Sequence, residues 1–199
     1  KAQENVTYIF FETGTGPDRD ETKIQIPTFL VTSKLAYVGA AFPKLKFNSE
    51  FVGSLGVKAG DQTVTTATLC SMDSVVANDF KNEWPVVVSK TLISTATKAI
   101  IQANAQRSAD HMGFMAGLAA KAAVTAFNAA TTHADTRVWS SLPKEFQYAR
   151  ITTPADREVT VSAGSDARTV KLVPGTVNVI YVKSISPSSP LLVSQFALK

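Results

Sequence analysis

The spacing of apolar residues changes twice along the chain, and this change limits the folds that it can adopt. Segments near both ends, such as 5–11 and 177–185, are rich in β-branched and aromatic residues, which favour half-buried strands. Between about 73 and 132, apolar residues recur at three- and four-residue intervals, which is typical of amphipathic helices. We therefore predict an α+β fold, an antiparallel β-sheet or sandwich with an inserted α-helical hairpin between the N- and C-terminal strands. Residues 1–199 would form a single β-rich domain, with its helical insertion at about 73–132.

The central segment is predicted to contain more than one helix. A short helix is expected at about 73–81, and Pro85 should interrupt it and begin a longer helix that reaches about residue 107. A further helix is expected at about 112–132. The apolar face expected on the longer helix comprises Val88, Leu92, Ile93, Ala96, Ala99, Ile100 and Ala103.

Alternating and β-branched segments predict the strands, and clusters of Gly, Asp, Ser and Pro predict the turns between them. Turns are expected at 60–62 and 163–166, and the N- and C-terminal strands should share a sheet. The nearly continuous apolar run 35–45 suits a buried strand. Strands are expected at about 5–11, 22–26, 35–45, 145–151, 157–162, 167–172, 177–185 and 191–197.

Small residues one turn apart mark the second long helix. Gly113 and Gly117 are four residues apart, and Ala120 continues the same face. Small side chains let another backbone approach closely, which makes these residues candidates for a helix–helix or membrane-associated interface. We favour tight packing against 92–100 within the same hairpin over such an interface, with self-association as the remaining possibility. Lys121 disfavours a membrane-spanning helix.

Arg137 and Trp139 follow this helix and complete the set of candidate interaction residues. We expect Trp139 to anchor the helix exit on the sheet. Arg137 is expected to pair with a carboxylate such as Asp135, or with strand carbonyl groups.

The residue types that carry most catalytic and metal chemistry are sparse. The two histidines, His111 and His133, lie near opposite ends of one predicted helix, on the order of 30 Å apart, and therefore cannot share a metal through it. Cys70 is the only cysteine, so no internal disulfide and no Cys-based zinc site can form. The segment 14–17 lacks the pattern of a phosphate loop and is expected to be a turn. We predict no cofactor, no metal and no catalytic site.

The charge of the chain is weakly basic and dispersed. Lys and Arg outnumber Asp and Glu by 20 to 16 and form no run of four. Nucleic-acid-binding proteins usually gather such charge on one face, so we do not expect a nucleic-acid partner.

Three segments occur in an order that resembles a known family. They are Phe11–Pro17 with Lys23–Pro27, then Leu92–Ala99, and finally Ala134–Pro143 with Gln147–Arg150. The stretch Ala-Asp-Thr-Arg-x-Trp-x-x-Leu-Pro is the most specific. Across about residues 6–185 the chain resembles the C-terminal region of a poorly characterised family of bacterial envelope lipoproteins with a tetratricopeptide-like helical N-terminal region.

The resemblance implies a location and a class of function. A lipidated N-terminus, which this chain does not contain, would place the whole protein in the periplasm, associated with the outer membrane. We expect a non-catalytic protein-interaction or structural module of a bacterial cell-envelope assembly, whose partners are envelope proteins or a second copy. One alternative is a small-ligand or glycan-binding β-domain that uses Trp84, Trp139, Tyr8, Tyr37 and Tyr148. Another is a hydrolase that uses a serine and His133.

Overall fold

The computed structural model describes residues 5–27 and 37–198 and confirms the α+β class. Contacts divide the chain into two compact units. The first comprises Lys1–Asp18, Phe47–Ala77 and Trp139–Lys199, and the second comprises Arg19–Lys46 and Asn78–Val138. The elements are β1 (Val6–Thr13), β2 (Asp18–Pro27), β3 (Tyr37–Lys46), β4 (Gly56–Ala59), β5 (Gln62–Thr65), β6 (Ala67–Ser71), α1 (Met72–Asp110), α2 (Phe114–Thr131), β7 (Glu145–Thr152), β8 (Glu158–Ala163), β9 (Asp166–Lys171), β10 (Val177–Ser184) and β11 (Leu192–Ala197).

The first unit contains two sheets. A five-stranded sheet has the order β11-β10-β1-β7-β6, and a four-stranded sheet has the order β5-β4-β8-β9. The predicted sharing of a sheet by N- and C-terminal strands is confirmed, because β1 lies between β10 and β7. The sheet is mixed rather than purely antiparallel, since β1 and β10 run parallel with Ile9 opposite Ile180.

The core of this unit gathers side chains from both sheets. Alternation along β1 buries Ile9 and Phe11 and turns Tyr8 and Phe10 to the opposite face. The buried cluster joins these two side chains to Leu55, Val57, Val159, Val161, Ile180 and Val182, each at most 1% exposed. Burial of such side chains contributes roughly 1.5–3 kcal/mol each, so the first unit is stabilised mainly by this cluster.

Predicted turns fall where the chain reverses in the four-stranded sheet. Gly60 and Gly164 have φ of +55° and +57°, which glycine adopts without steric cost. They connect β4 to β5 and β8 to β9, as the turn residues predict. The predicted strand 35–45 corresponds to β3, and its first two residues, Leu35 and Ala36, lie outside the described residues.

The loop after β1 packs tightly on the segment that precedes β7. The amide of Gly16 donates a 2.7 Å hydrogen bond to the carbonyl oxygen of Leu142, and the amide of Lys144 donates one of 3.0 Å to Thr13. Gly14 has φ +68°. Two of the segments that carry the family resemblance therefore meet in this loop.

Lys144 links this loop to the start of α1. Its ammonium group forms an ion pair with Asp73 and donates a 2.8 Å hydrogen bond to the carbonyl of Asn48. The ammonium also lies 5.0 Å from the ring centroid of Phe51. The side chains of Lys144 and Asp73 are only 12% and 19% exposed, so this is a mostly buried ion pair.

The helical segment differs from the prediction at Pro85. The chain forms one helix, α1, of 39 residues through this position, instead of a short helix followed by a longer one. Proline removes one helical hydrogen bond and crowds the preceding turn, at a cost of about 3 kcal/mol. α2 spans 18 residues, close to the predicted limits.

Candidate interaction surface

The buried side of α1 carries small residues, whereas its large aliphatic residues face solvent. The buried residues are Thr95, Ala99, Ala103 and Ala109. The predicted apolar face is therefore right for Ala99 and Ala103 and wrong for Leu92, Ile93 and Ile100, which are 49%, 68% and 58% exposed. Val86 and Ile101 are also more than half exposed.

Contacts with α2 lie along the buried side of α1. Lys98 donates a 2.8 Å hydrogen bond to the carbonyl of Thr131, and Asn128 donates one of 2.8 Å to Gln102. A Cβ atom added at Gly117 would stand only 2.6 Å from the carbonyl oxygen of Ala109. Where two helix backbones come this close, only small side chains fit between them.

The three residues of the predicted small-residue face lie in different environments. Gly117 is buried against the end of α1, and Ala120 is half-buried. Gly113 is exposed, and a Cβ atom there would meet no atom within 4 Å. Gly117 thus serves packing within the hairpin, as expected, although its neighbour is Ala109 and not the segment 92–100.

The outer side of α2 is also apolar. Phe114, Met115 and Leu118 are 83%, 74% and 56% exposed, and Phe127 is 61% exposed. Monomeric soluble proteins rarely expose large contiguous apolar patches, and such patches mark interaction sites. The outward side chains of α1 and α2 are the clearest candidate interaction surface of the second unit.

An apolar groove lies between the two-stranded β2–β3 sheet and α1. Its volume is 480 Å³, and its aromatic wall consists of Phe42, Phe80 and Trp84, with ring centroids 5.4–6.1 Å apart. The guanidinium carbon of Arg19 lies 5.7 Å from the Phe80 ring, which adds a cation–π contact. The remaining lining residues are Thr22, Ile24, Pro43, Lys44, Leu45 and Val88.

The sequence indicated this groove only in part. Phe80 and Trp84 are one helical turn apart, a spacing that places them on the same face of α1. The sequence offers Trp84 as a candidate ligand-binding aromatic residue, but it does not single out Phe42 or Phe80. Phe42 reaches them from a different element, and pairing between distant segments leaves no local signal.

The aromatic residues considered for a β-domain ligand site do not all lie in this groove. Tyr8 and Tyr148 stack on the five-stranded sheet with ring centroids 6.1 Å apart, and Phe10 contacts Tyr148 at 5.8 Å. On the same face, Tyr181 lies beside Glu12, which is 3.4 Å from Lys183. Partial burial and the Glu12 carboxylate raise the pKa of Tyr181 to about 12. The side chain of Tyr37 lies outside the described residues.

Arg137 and Trp139 behave differently from each other. Arg137 forms the expected pair with Asp135, through hydrogen bonds of 2.9 and 2.7 Å, and this pairing holds the pKa of the Asp135 carboxyl well below its usual range. Trp139 is 75% exposed, so the expected anchoring of the helix exit on the sheet is wrong. Trp139 begins a turn in which the amide of Leu142 donates a hydrogen bond to its carbonyl oxygen, and its indole is one of the exposed apolar side chains.

His133 lies on the rim of a small polar cavity in the second unit. The cavity has a volume of 210 Å³ and is lined by Lys90, Ser94, Lys98 and His133 among others. His133 Nδ1 is 3.6 Å from the carboxylate of Glu21, whose pKa is lowered by hydrogen bonds from Lys23 and from the amide of Ala134. Among the described residues, no serine is hydrogen-bonded to His133.

Within residues 5–27 and 37–198, no three His, Cys, Asp or Glu side chains are grouped so that they could hold a metal ion. Neither α1 nor α2 combines the length and the hydropathy that a helix needs to cross a bilayer.

The chain was compared with protein-family models, with curated proteins and with solved structures, and none of these comparisons found a match.

Proposed function

We propose that this chain is a non-catalytic protein-interaction module of a bacterial cell-envelope assembly. One observation carries the proposal: large apolar residues of α1 and α2 are exposed, while the buried residues of α1 are all small. A surface of this kind is stabilised when another protein covers it. The envelope location rests on the family resemblance, which is carried in part by Phe11–Pro17 and by Ala134–Pro143, the segment that contains Trp139.

The expected placement follows from the same resemblance. The protein would be held in the periplasm at the outer membrane by a lipid anchor, and its partners would be envelope proteins or a second copy. Partner segments would contribute apolar side chains, because Phe114, Met115 and Leu118 offer few polar groups for recognition.

Photo-crosslinking in a bacterium that encodes the protein tests this function. A photoreactive residue at Leu118 is expected to give a discrete protein adduct, which mass spectrometry identifies. Ser165, exposed in the turn between β8 and β9, is the matched control and should give none. Absence of an adduct at Leu118, Met115 and Trp84 in folded, exported protein would contradict the proposal.

A second candidate function follows from the aromatic groove. Its 480 Å³ lies within the range of about 300–1,000 Å³ typical of small-molecule sites, and its lining is largely apolar. A small apolar ligand would therefore stack on Trp84. Titration with 1-anilinonaphthalene-8-sulfonate should change Trp84 emission in a Trp139→Phe variant, and the Trp84→Phe variant should lose binding. If both variants bind the dye equally, the groove is not its site.

A further inference from the structure

We propose that a second copy of this chain pairs antiparallel with an exposed heptad row of α1. The heptad row consists of Asp79, Val86, Ile93, Ile100 and Arg107, each seven residues from the next. Ile93 lies at its centre and would lie on the two-fold axis of the pair. The inference rests on the proposed function, because it names the partner for one part of the interaction surface.

The row forms one continuous stripe on the solvent side of α1. Seven residues make almost two helical turns, so successive members are offset by only about 20°. Val86, Ile93 and Ile100 are 55%, 68% and 58% exposed, and both ends of the row are exposed. A left-handed supercoil of two helices removes the small offset, as in coiled coils. The stripe is about 42 Å long, which is enough for an extended helix pair.

Charge complementarity indicates that the partner of the row is the same row on a second copy of the chain. In an antiparallel pair centred on Ile93, Asp79 of one copy lies opposite Arg107 of the other, and the two-fold axis repeats this contact. Val86 lies opposite Ile100 in the same way. In the part of the chain that the structure describes, neither Asp79 nor Arg107 has an ion-pair partner. A parallel pair would instead place Asp79 against Asp79 and Arg107 against Arg107.

The polar residues beside the row match one another in the same register. Ser89 lies opposite Thr97, and their hydroxyl groups already donate 2.8 and 2.9 Å hydrogen bonds to carbonyl groups of α1 itself. Covering these two hydroxyls leaves no donor unsatisfied. Asn82 lies opposite Asn104, where two exposed amides can hydrogen-bond. Every residue of the stripe therefore faces a chemically suitable partner from a second identical helix.

Sedimentation equilibrium between about 1 and 500 µM, a range that covers weak to moderate affinities, is the first test. The 199-residue chain is expected to approach twice its mass of 21.3 kDa. Ile93→Asp should prevent dimerisation, since it places two carboxylates at the axis. Leu92→Asp is the matched control: its side chain is 49% exposed but points about 100° away, so the dimer should persist. Circular dichroism verifies that both variants fold.

Charge reversal tests the register without altering the apolar row. Asp79→Lys and Arg107→Glu should each weaken dimerisation on the order of 10-fold, because two exposed ion pairs become two repulsions. The double variant Asp79→Lys/Arg107→Glu should recover the affinity. Unchanged affinity in the single variants, or no recovery in the double variant, would overturn the antiparallel register.

Cysteine pairing distinguishes the two orientations directly. In a Cys70→Ser background, chains with Val86→Cys and chains with Ile100→Cys should form the mixed disulfide on oxidation. Preferential Val86→Cys homodimers would indicate a parallel pair and refute the inference. If the chain is strictly monomeric but still forms in-cell adducts at Leu118, self-association is refuted and the proposed function is not. If the chain is monomeric and also forms no adduct, both proposals are refuted.

Discussion

The carbonyl oxygen of Ala109 lies 2.6 Å from the point where a Cβ atom on Gly117 would stand. Ala109 ends the buried stripe of α1, and Gly117 lies on the buried side of α2. The helical hairpin can therefore close only with a residue that has no side chain at this position.

Gly117→Ala is accordingly expected to destabilise the hairpin by about 1–3 kcal/mol, since backbone atoms must move apart to admit the methyl group. Gly113→Ala is the matched control, because nothing lies within 4 Å of its Cβ position. Because Gly113 is the N-cap of α2, where alanine is less favourable than glycine, the control should cost at most about 1 kcal/mol. Urea unfolding followed by far-ultraviolet circular dichroism measures both values, and equal midpoints would contradict the close helix contact.

Gly14→Ala should destabilise the first unit through two separate effects. The residue has φ +68°, and its Cβ would lie 2.7 Å from Phe51 Cβ and 3.0 Å from Lys144 Cβ. Gly164→Ala experiences only the first effect, since φ is +57° with open space around it. We expect a loss of about 1–2 kcal/mol for Gly164→Ala and a clearly larger loss for Gly14→Ala. The difference between their unfolding free energies reports the packing of the loop.

Replacing Lys144 alone should destabilise the fold more than replacing both Lys144 and its ion-pair partner Asp73. Lys144→Met leaves the mostly buried Asp73 carboxylate unpaired, and we expect a loss of about 3 kcal/mol. The double variant Lys144→Met/Asp73→Leu removes the uncompensated charge and should recover part of that loss. Thermal unfolding of the two variants gives the comparison. If the double variant is the less stable of the two, the pair itself contributes net stability.

Alkaline pH should destabilise the fold through Tyr181. Its pKa is raised to about 12 from an ordinary value of 10, so the folded state holds the phenol proton more tightly than the unfolded state. Stability is then fully present below pH 10 and is lost as pH rises from about 10 to 12. Tyr181→Phe should remove this part of the pH dependence. Difference absorbance at 295 nm between native protein and the variant measures the titration, and a midpoint near 10 would contradict the assigned burial.

The two tryptophans should differ in their contribution to stability. Trp84 contacts Phe42 and Phe80, and Trp139 is 75% exposed. Trp84→Ala should therefore lower the free energy of unfolding by about 2–3 kcal/mol, less than a fully buried tryptophan. Trp139→Ala should change it by less than about 0.5 kcal/mol. Chemical denaturation of the two variants checks the assignment, and a large loss for Trp139→Ala would restore its predicted role as an anchor.

The sequence by itself determined the class of fold and the position of a helical region between N- and C-terminal strands. Residue periods of two and of about 3.6 are local properties, so the strands that flank residues 73–132 and the helices within that segment could be identified from neighbouring residues. Turn residues such as Gly60 and Gly164 were equally informative, because a positive φ is a requirement of one residue alone. The pairing of Arg137 with Asp135, two positions away, was predictable for the same reason.

Tertiary structure decided which side of each helix is covered. Helical spacing identified an apolar face on α1 but could not show that Ala99 would be buried while Ile93 would be exposed, since that depends on which elements pack against each side of the helix. The continuation of α1 through Pro85, the meeting of Phe42 with Trp84 and the outward position of Trp139 depend in the same way on residues distant in sequence. Such contacts arise from packing between elements, and no local pattern of residues encodes them.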